Sequence, residues 1–254
     1  MNLILVDPEE VAPDGRVHLS GNRGRHLRDV LKVVPGDRVR MGVIDGQLGY
    51  GAVTAATADS VDLFCEFQGA VPERPPIDLL LALPRPKVLQ RLWAPLAALG
   101  VSRIVLTNAA RVERHYFDTH VLTESGYGPL LIEGLQQARD TRLPVVSIHK
   151  QFRKLVEDDL DGVCGPGLRL VAHPDARLSV ADAVRPNGPE RLVMAIGPEG
   201  GWNAFELALL ESRGFHPVGM GYRTLRTDTA AVALIALAHD ALGQPRTGSA
   251  RRET

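Results

Sequence analysis

A chain of 254 residues with 44% hydrophobic content can bury enough apolar surface for one large domain or two modest ones, and two is the expectation. Its 29 basic and 30 acidic residues nearly cancel, so overall charge argues neither for nor against a polyanionic partner and local charge must decide. Cys65 and Cys164 stand alone without CxxC spacing, which excludes a disulfide framework or zinc site and fits a reducing cytoplasm, and the longest apolar run, Ala230 to Ala238, falls well short of the roughly 20 residues that span a bilayer.

Leu3 to Val6 reads as a strand and not as a signal peptide, since no basic segment precedes it and Asp7 follows at once. Further short β-like runs lie at Arg38 to Ile44, Ala52 to Ala55 and Val61 to Phe67, divided by turn signals at Pro35-Gly36-Asp37, Asp45-Gly46 and Asp59-Ser60. They predict a small β-barrel interrupted by one helix, about Gly24 to Lys32, that turns Leu27, Val30 and Leu31 inward. Residues 16 to 40 carry Arg16, Arg23, Arg25, Arg28, Lys32, Arg38 and Arg40 against only Asp29 and Asp37. That local excess suits phosphate contact, although a helix with a solvated basic side reads the same way.

Three prolines in Val71-Pro72-Glu73-Arg74-Pro75-Pro76-Ile77 mark an extended connector, so a first domain is expected over 1–72 and a second over 76–243. Beyond the connector helices and strands alternate, the pattern of a largely parallel sheet covered on both faces. Strands are predicted at Leu79 to Ala82, Ile104 to Leu106, Val145 to Ile148, Leu168 to Ala172, Leu192 to Ile196 and Pro217 to Met220. Helices are predicted near Lys87 to Leu99, Leu130 to Arg139, Asn203 to Ser212 and Thr229 to Leu242, with Pro95 kinking or shortening the first. The last is apolar on more than one side, which points to burial against both the sheet and a second subunit. Residues 244–254 read as a disordered tail. His115 and His120 are five apart, a poor spacing for metal ligands on a helix, and no metal is expected.

Two segments carry the chemistry. Ala195-Ile196-Gly197-Pro198-Glu199-Gly200-Gly201-Trp202-Asn203 passes from a strand through a glycine-rich loop into a helix, which is where ligands sit in an open α/β sheet. Asn203 and Glu206 have the N-cap and N3 spacing that fixes the loop's exit. The loop lacks the Gly-Lys-Ser/Thr ending of a P-loop and the G-x-G-x-x-G fingerprint, which puts a nucleotide hydrolase last among the alternatives. Met220-Gly221-Tyr222-Arg223-Thr224-Leu225-Arg226-Thr227-Asp228-Thr229-Ala230 is again strand, loop and helix start, and Arg223 by itself reads as a solvated charge.

Together I-G-P-E-G-G-W and M-G-Y-R-T-L-R-T-D-T-A resemble the SPOUT superfamily of knotted methyltransferases. Within it the likeness is to the bacterial 16S ribosomal RNA (uracil-N3)-methyltransferase family, which typically ends in G-x-x-I-L-R-T-E-T-A. Arg25-His26-Leu27 with Val30-Leu31-Lys32, Leu83-Pro84-Arg85, Leu99-Gly100-Val101 and Gln137-Ala138-Arg139 agree as well, so the resemblance runs from Met1 to about Gly243. It departs at Pro95 and Ala98, where the family carries a Lys and a Glu, and at Ala110-Arg111-Val112, where the family has E-R-S.

The resemblance implies an α/β fold with a PUA-like RNA-binding β-domain followed by a trefoil-knot domain, the knot lying at about 170–243. It also implies a homodimer, S-adenosylmethionine (SAM) as cofactor, and a uridine of 16S ribosomal RNA in the small ribosomal subunit as target. Carried over residue by residue, SAM would be held by Ala172-His173-Pro174, by Ile196-Gly197-Pro198-Glu199-Gly200-Gly201, and by Met220, Gly221, Leu225, Arg226, Thr227, Thr229 and Ala230. RNA contacts are expected from Arg23, Arg25, His26, Arg28, Lys32 and Arg40, with Arg85 and Arg111 in the second domain.

Uracil N3 carries a proton at neutral pH and becomes nucleophilic on losing it, so the site must favour an anion. An arginine does this without surrendering its own proton, which makes Arg226 the first choice; Glu199 and Asp228 are candidate proton acceptors ranked below it. The target base must be unpaired or turned out of its stack. Two alternatives stand beside this reading, a related enzyme acting on a ribose 2′-hydroxyl and an RNA-binding ribosome-assembly factor that has kept the fold and lost activity.

Overall fold

The computed structural model describes residues 3–185, 188 and 190–243, and the tail at 244–254 lies outside them. The chain forms two compact units, Met1–Arg74 with Gly128–Leu143, and Pro75–Tyr127 with Pro144–Thr254.

The first unit is a five-stranded sheet of β1 (Ile4–Val6), β2 (Arg16–Ser20), β3 (Arg38–Val43), β4 (Leu48–Ala56) and β5 (Ser60–Phe67) in the order β1-β3-β4-β5-β2. Only β1 and β3 are parallel. No ladder among the described residues joins β1 to β2, so the curled sheet is a half-barrel. Alternation explains the core: Val17, Leu19, Val39, Met41, Val53, Val61 and Leu63 all point inward with Ile4, Val6 and Leu27. Strand β2 goes unread in the sequence because its five residues expose Arg16, His18 and Ser20 between turn residues.

Helix α1 (Gly21–Arg25) continues into one wide turn, His26–Val30, closed by the Leu31 N–H on the His26 carbonyl at 3.2 Å. The extra residue in that turn rotates everything after it relative to a regular helix. Leu27 stays fully buried as expected, whereas Val30 is 62% and Leu31 36% exposed, against the expectation that both face the core.

The second unit begins with β6 (Ile77–Ala82), α2 (Pro86–Leu99), β7 (Val101–Thr107), α3 (Glu124–Ala138) and β8 (Val145–His149). It continues through α4 (Phe152–Lys154), α5 (Leu160–Cys164), β9 (Leu168–Ala172), α6 (Val180–Val184), β10 (Leu192–Ile196), α7 (Ala204–Ser212), β11 (Phe215–Val218) and α8 (Thr227–Leu242). From Gly128 onward α3 belongs to the first unit, where Thr141 beyond its end donates to the Gly46 carbonyl at 2.7 Å. Pro95 does not shorten α2, which runs on to a left-handed Gly100 at φ 82°. Burial of Leu89, Leu92, Trp93 and Leu96 outweighs the one hydrogen bond that the proline removes.

The six strands stand in the order β11-β9-β10-β6-β7-β8 with every neighbouring pair parallel, and β6 and β10 are buried along their whole length. The fold class is the expected one, α/β, with a small curled β-sheet unit preceding a wholly parallel sheet. Parallel strands put all their C-terminal ends on one edge, so the loops after β6, β7, β9, β10 and β11 gather there. From edge strand β11 the chain returns to the middle, where α8 packs on α2, α6, β10 and β6.

Candidate functional site

The glycine-rich loop after β10 is shaped by close approach. Gly201 sits at φ 71°, a region that favours glycine, and its N–H closes a turn on the Pro198 carbonyl at 2.8 Å. A Cβ on Gly200 would meet Arg111 Cδ at 2.7 Å, and Arg111 Nη1 donates to the Gly200 carbonyl. Beyond the loop Asn203 and Glu206 form the anticipated capping box: the Glu206 N–H donates to Asn203 Oδ1 at 2.8 Å, and the Asn203 N–H to Glu206 Oε2 at 2.9 Å. Glu206 is buried, and its other oxygen accepts the Ala110 N–H at 2.6 Å. One carboxylate thus ties the loop after β10 to the loop after β7.

The loops after β9, β10 and β11 enclose one cavity of about 320 Å³. Its wall includes Ala172, His173, Pro174, Ile196, Gly197, Pro198, Glu199, Gly200, Gly201, Met220, Gly221, Leu225, Thr227 and Ala230. Arg226 and Thr229, assigned to the same set from sequence, lie outside that wall. Arg223, read as a solvated charge, lines the cavity with its guanidinium 5.5 Å from the Tyr222 ring centroid. Val218 and Leu234 give the cavity an apolar floor.

A second cavity, about 780 Å³, shares Glu199 and Thr227 with the first. Four cations line it, Arg85, Lys87, Arg91 and Arg226, together with Tyr116 and Asp228. Asp228 accepts from Arg226 at 2.6 and 3.2 Å, from Arg91 at 2.9 Å and from the Thr229 N–H at 2.9 Å. These hydrogen bonds, that from Arg226 first, hold its carboxyl down at about 2. Glu199 accepts the Arg85 N–H at 3.1 Å. Sequence reading missed Lys87, Arg91 and Tyr116. The first two are four apart on α2 and share a face, a signal that becomes informative once α2 is known to start at the sheet's ligand edge.

In the first unit much of the anticipated basic patch is already paired. Arg23 grips Glu10 with both terminal nitrogens and lowers the Glu10 carboxyl, Arg28 holds Asp29 at 2.8 and 3.0 Å, and Arg25 donates to Asn22 Oδ1 at 2.5 Å. Lys32 and Arg40 are exposed, and His26 is half-buried with its Nε2 lacking a partner. Among the described residues no cluster of three or more His, Cys, Asp or Glu side chains could hold a metal, and no helix is long and apolar enough to cross a membrane.

The sequence pattern of the RNA methyltransferase domain family matches residues 72–239. The ribosomal RNA small subunit methyltransferase E of Treponema pallidum (strain Nichols) is 32% identical over 244 residues, covering 93% of this chain and 90% of its own length. The protein of that name from Synechocystis is 28% identical over 240 residues, covering 92% of this chain and 75% of its own. The crystal structure of a ribosomal RNA small subunit methyltransferase E from Neisseria gonorrhoeae, bound to S-adenosyl methionine, superposes with a TM-score of 0.75 at 22% identity, covering 94% of this chain and 97% of that one.

Proposed function

The chain belongs to the RNA methyltransferase domain family, and we propose that it transfers the methyl group of SAM to N3 of a uridine in small-subunit ribosomal RNA. The observation that carries this reading is the pair of cavities meeting at Glu199 and Thr227, one walled by three strand-end loops and the other by four cations.

The first cavity fits SAM. Its volume lies in the range of small-molecule sites, its floor of Val218 and Leu234 suits an adenine ring, and the main chain of Ile196, Met220 and Leu225 can meet the polar edges of adenine and ribose. SAM supplies an activated methyl group with its own leaving group. The second cavity takes the nucleotide, with Arg85, Lys87 and Arg91 meeting phosphate and Tyr116 giving the base a flat apolar contact. Arg226 faces the uracil and stabilises the charge that spreads over O2, N3 and O4 when N3 gives up its proton. Glu199 lines both cavities and takes that proton, which leaves the N3 electron pair free to act as the nucleophile. Asp228 is a positioning residue: at a pKa of about 2 it is a poor proton acceptor, and it holds Arg226 and Arg91 in place.

RNA beyond the target nucleotide would be held by the first unit, and the outer side of α8 would join two copies. The direct test is mass spectrometry of ribosomal RNA nucleosides from cells with and without this protein. Loss of 3-methyluridine from small-subunit RNA is expected. Loss of a 2′-O-methylated nucleoside instead would reassign the atom methylated, and no change at all would overturn the proposal.

A further inference from the structure

The first unit carries a concave site of its own, about 520 Å³, on the face of the sheet formed by β3 and β4. Its chemistry comes from Arg38, Arg40, Tyr50, Glu66, Gln68 and Arg139. Arg40 stands opposite Tyr50 in the antiparallel ladder and Arg38 opposite Ala52, so period-two alternation sends both arginines to the face that exposes Tyr50. The Arg38 guanidinium lies 4.7 Å from the Tyr50 ring centroid and that of Arg40 lies at 6.0 Å. Tyr50 remains 44% exposed.

Ion pairing sets this face apart from the other arginines of the basic segment at residues 16–40. Arg16, Arg23 and Arg28 each hold a carboxylate, whereas among the described residues Arg38, Arg40 and Arg139 have no carboxylate within ion-pair distance. Three guanidiniums therefore face solvent with Glu66 as the one carboxylate lining the same cavity. An unneutralised cluster of this kind attracts a polyanion, and a guanidinium plane backed by an aromatic ring is a surface on which a nucleobase stacks.

We propose that this face is a single-stranded RNA subsite, where one base stacks on the Tyr50 and Arg38 pair while Arg40 and Arg139 meet the flanking phosphates. Gln68 and Glu66 supply the hydrogen-bonding edge, Glu66 accepting from an exocyclic amino group. The inference rests on the reading of the protein as an RNA enzyme, and it names where RNA is held away from the reacting nucleotide.

The test uses the full chain and a short single-stranded RNA carrying 5-iodouridine, irradiated and then digested for peptide mass spectrometry. A cross-link at Tyr50 is expected. By fluorescence anisotropy Tyr50→Ala should weaken binding about tenfold and Tyr50→Phe less than threefold, since each stacked base contributes in that range. Removing Arg40 and Arg139 together should reduce the slope of log affinity against log salt by about 1.4, the value for two phosphates on a single strand. SAM affinity by calorimetry and the thermal melt report that the variants are folded.

An abasic strand binding as tightly as the RNA, or Tyr50→Ala binding like the parent while cross-links fall elsewhere, would overturn the subsite and leave the methyltransferase reading intact. A parent chain that binds SAM and no RNA would overturn both.

Discussion

Arg226 and Asp228 are two residues apart at the start of α8, and their pairing separates two roles that their sequence positions leave mixed. A carboxylate shared between two guanidiniums and a backbone N–H is strongly stabilised as an anion, so its depressed pKa fits orientation better than proton transfer. Because the folded value lies below the ordinary 3.8, this ion pairing is complete above about pH 4 and is lost only as pH falls through about 2. Asp228 should therefore contribute no limb to the pH profile of kcat between pH 5 and 9, and Asp228→Asn should lower kcat without shifting the profile. Arg226→Ala removes a charge aimed at the developing anion, and loss of one such donor typically costs about a hundredfold to a thousandfold in kcat. SAM affinity should change less than threefold, because Arg226 lies outside the wall of the first cavity. Single-turnover methyl transfer and calorimetry separate the two numbers, and equal losses in both would contradict the role.

At the scale of elements, the site depends on how the loops are tied together. Glu206 is buried and satisfies the Asn203 and Ala110 N–H groups, so it fixes both the exit of the glycine loop and the segment carrying Arg111. Glu206→Ala removes the buried acceptor of two part-buried N–H groups, each loss costing about 1–2 kcal/mol. Urea unfolding should show a loss of about 2–4 kcal/mol, and SAM binding should weaken with it. Glu206→Gln, which keeps one acceptor oxygen, should lie between. The capping box was legible in the sequence because it is local; the bond to Ala110 was not, since nothing in a one-dimensional pattern reports which distant N–H reaches the second oxygen. The same division runs through the molecule. Strands β9 and β10 were read to the residue from their apolar runs, and the loops around Gly197 and Met220 were read from their turn chemistry. What failed were features set by a single backbone irregularity or by nonlocal packing: the wide turn at His26 that exposes Val30 and Leu31, the persistence of α2 through Pro95, and the pairing that leaves Arg38 and Arg40 of β3 without a carboxylate while neutralising Arg23 and Arg28.

For the whole molecule, the remaining question is what covers the second apolar side of α8. Ala231, Leu234, Ile235 and Ala238 are buried in their own subunit, yet Val232 is 36% and Leu237 45% exposed, with Ala236 between them also exposed. Val232 and Ala236 are four apart and share a side of this 16-residue helix, and with Leu237 next to Ala236 they form an exposed apolar stripe one turn and a half long. Helices apolar on two sides bury both, and a second copy meeting the same stripe by a two-fold axis would do so with one self-complementary surface. Light scattering should therefore give twice the chain mass, and Val232→Lys with Leu237→Lys should give the single-chain mass with the fold retained. Because the same helix begins at Thr227, which lines both cavities, losing its packing partner should also loosen the site. The double variant should bind SAM more weakly and lose turnover, and restoring dimers at high protein concentration should restore both. A parent chain that scatters as a monomer while turning over normally would show instead that α8 needs no partner and that its exposed stripe serves another contact.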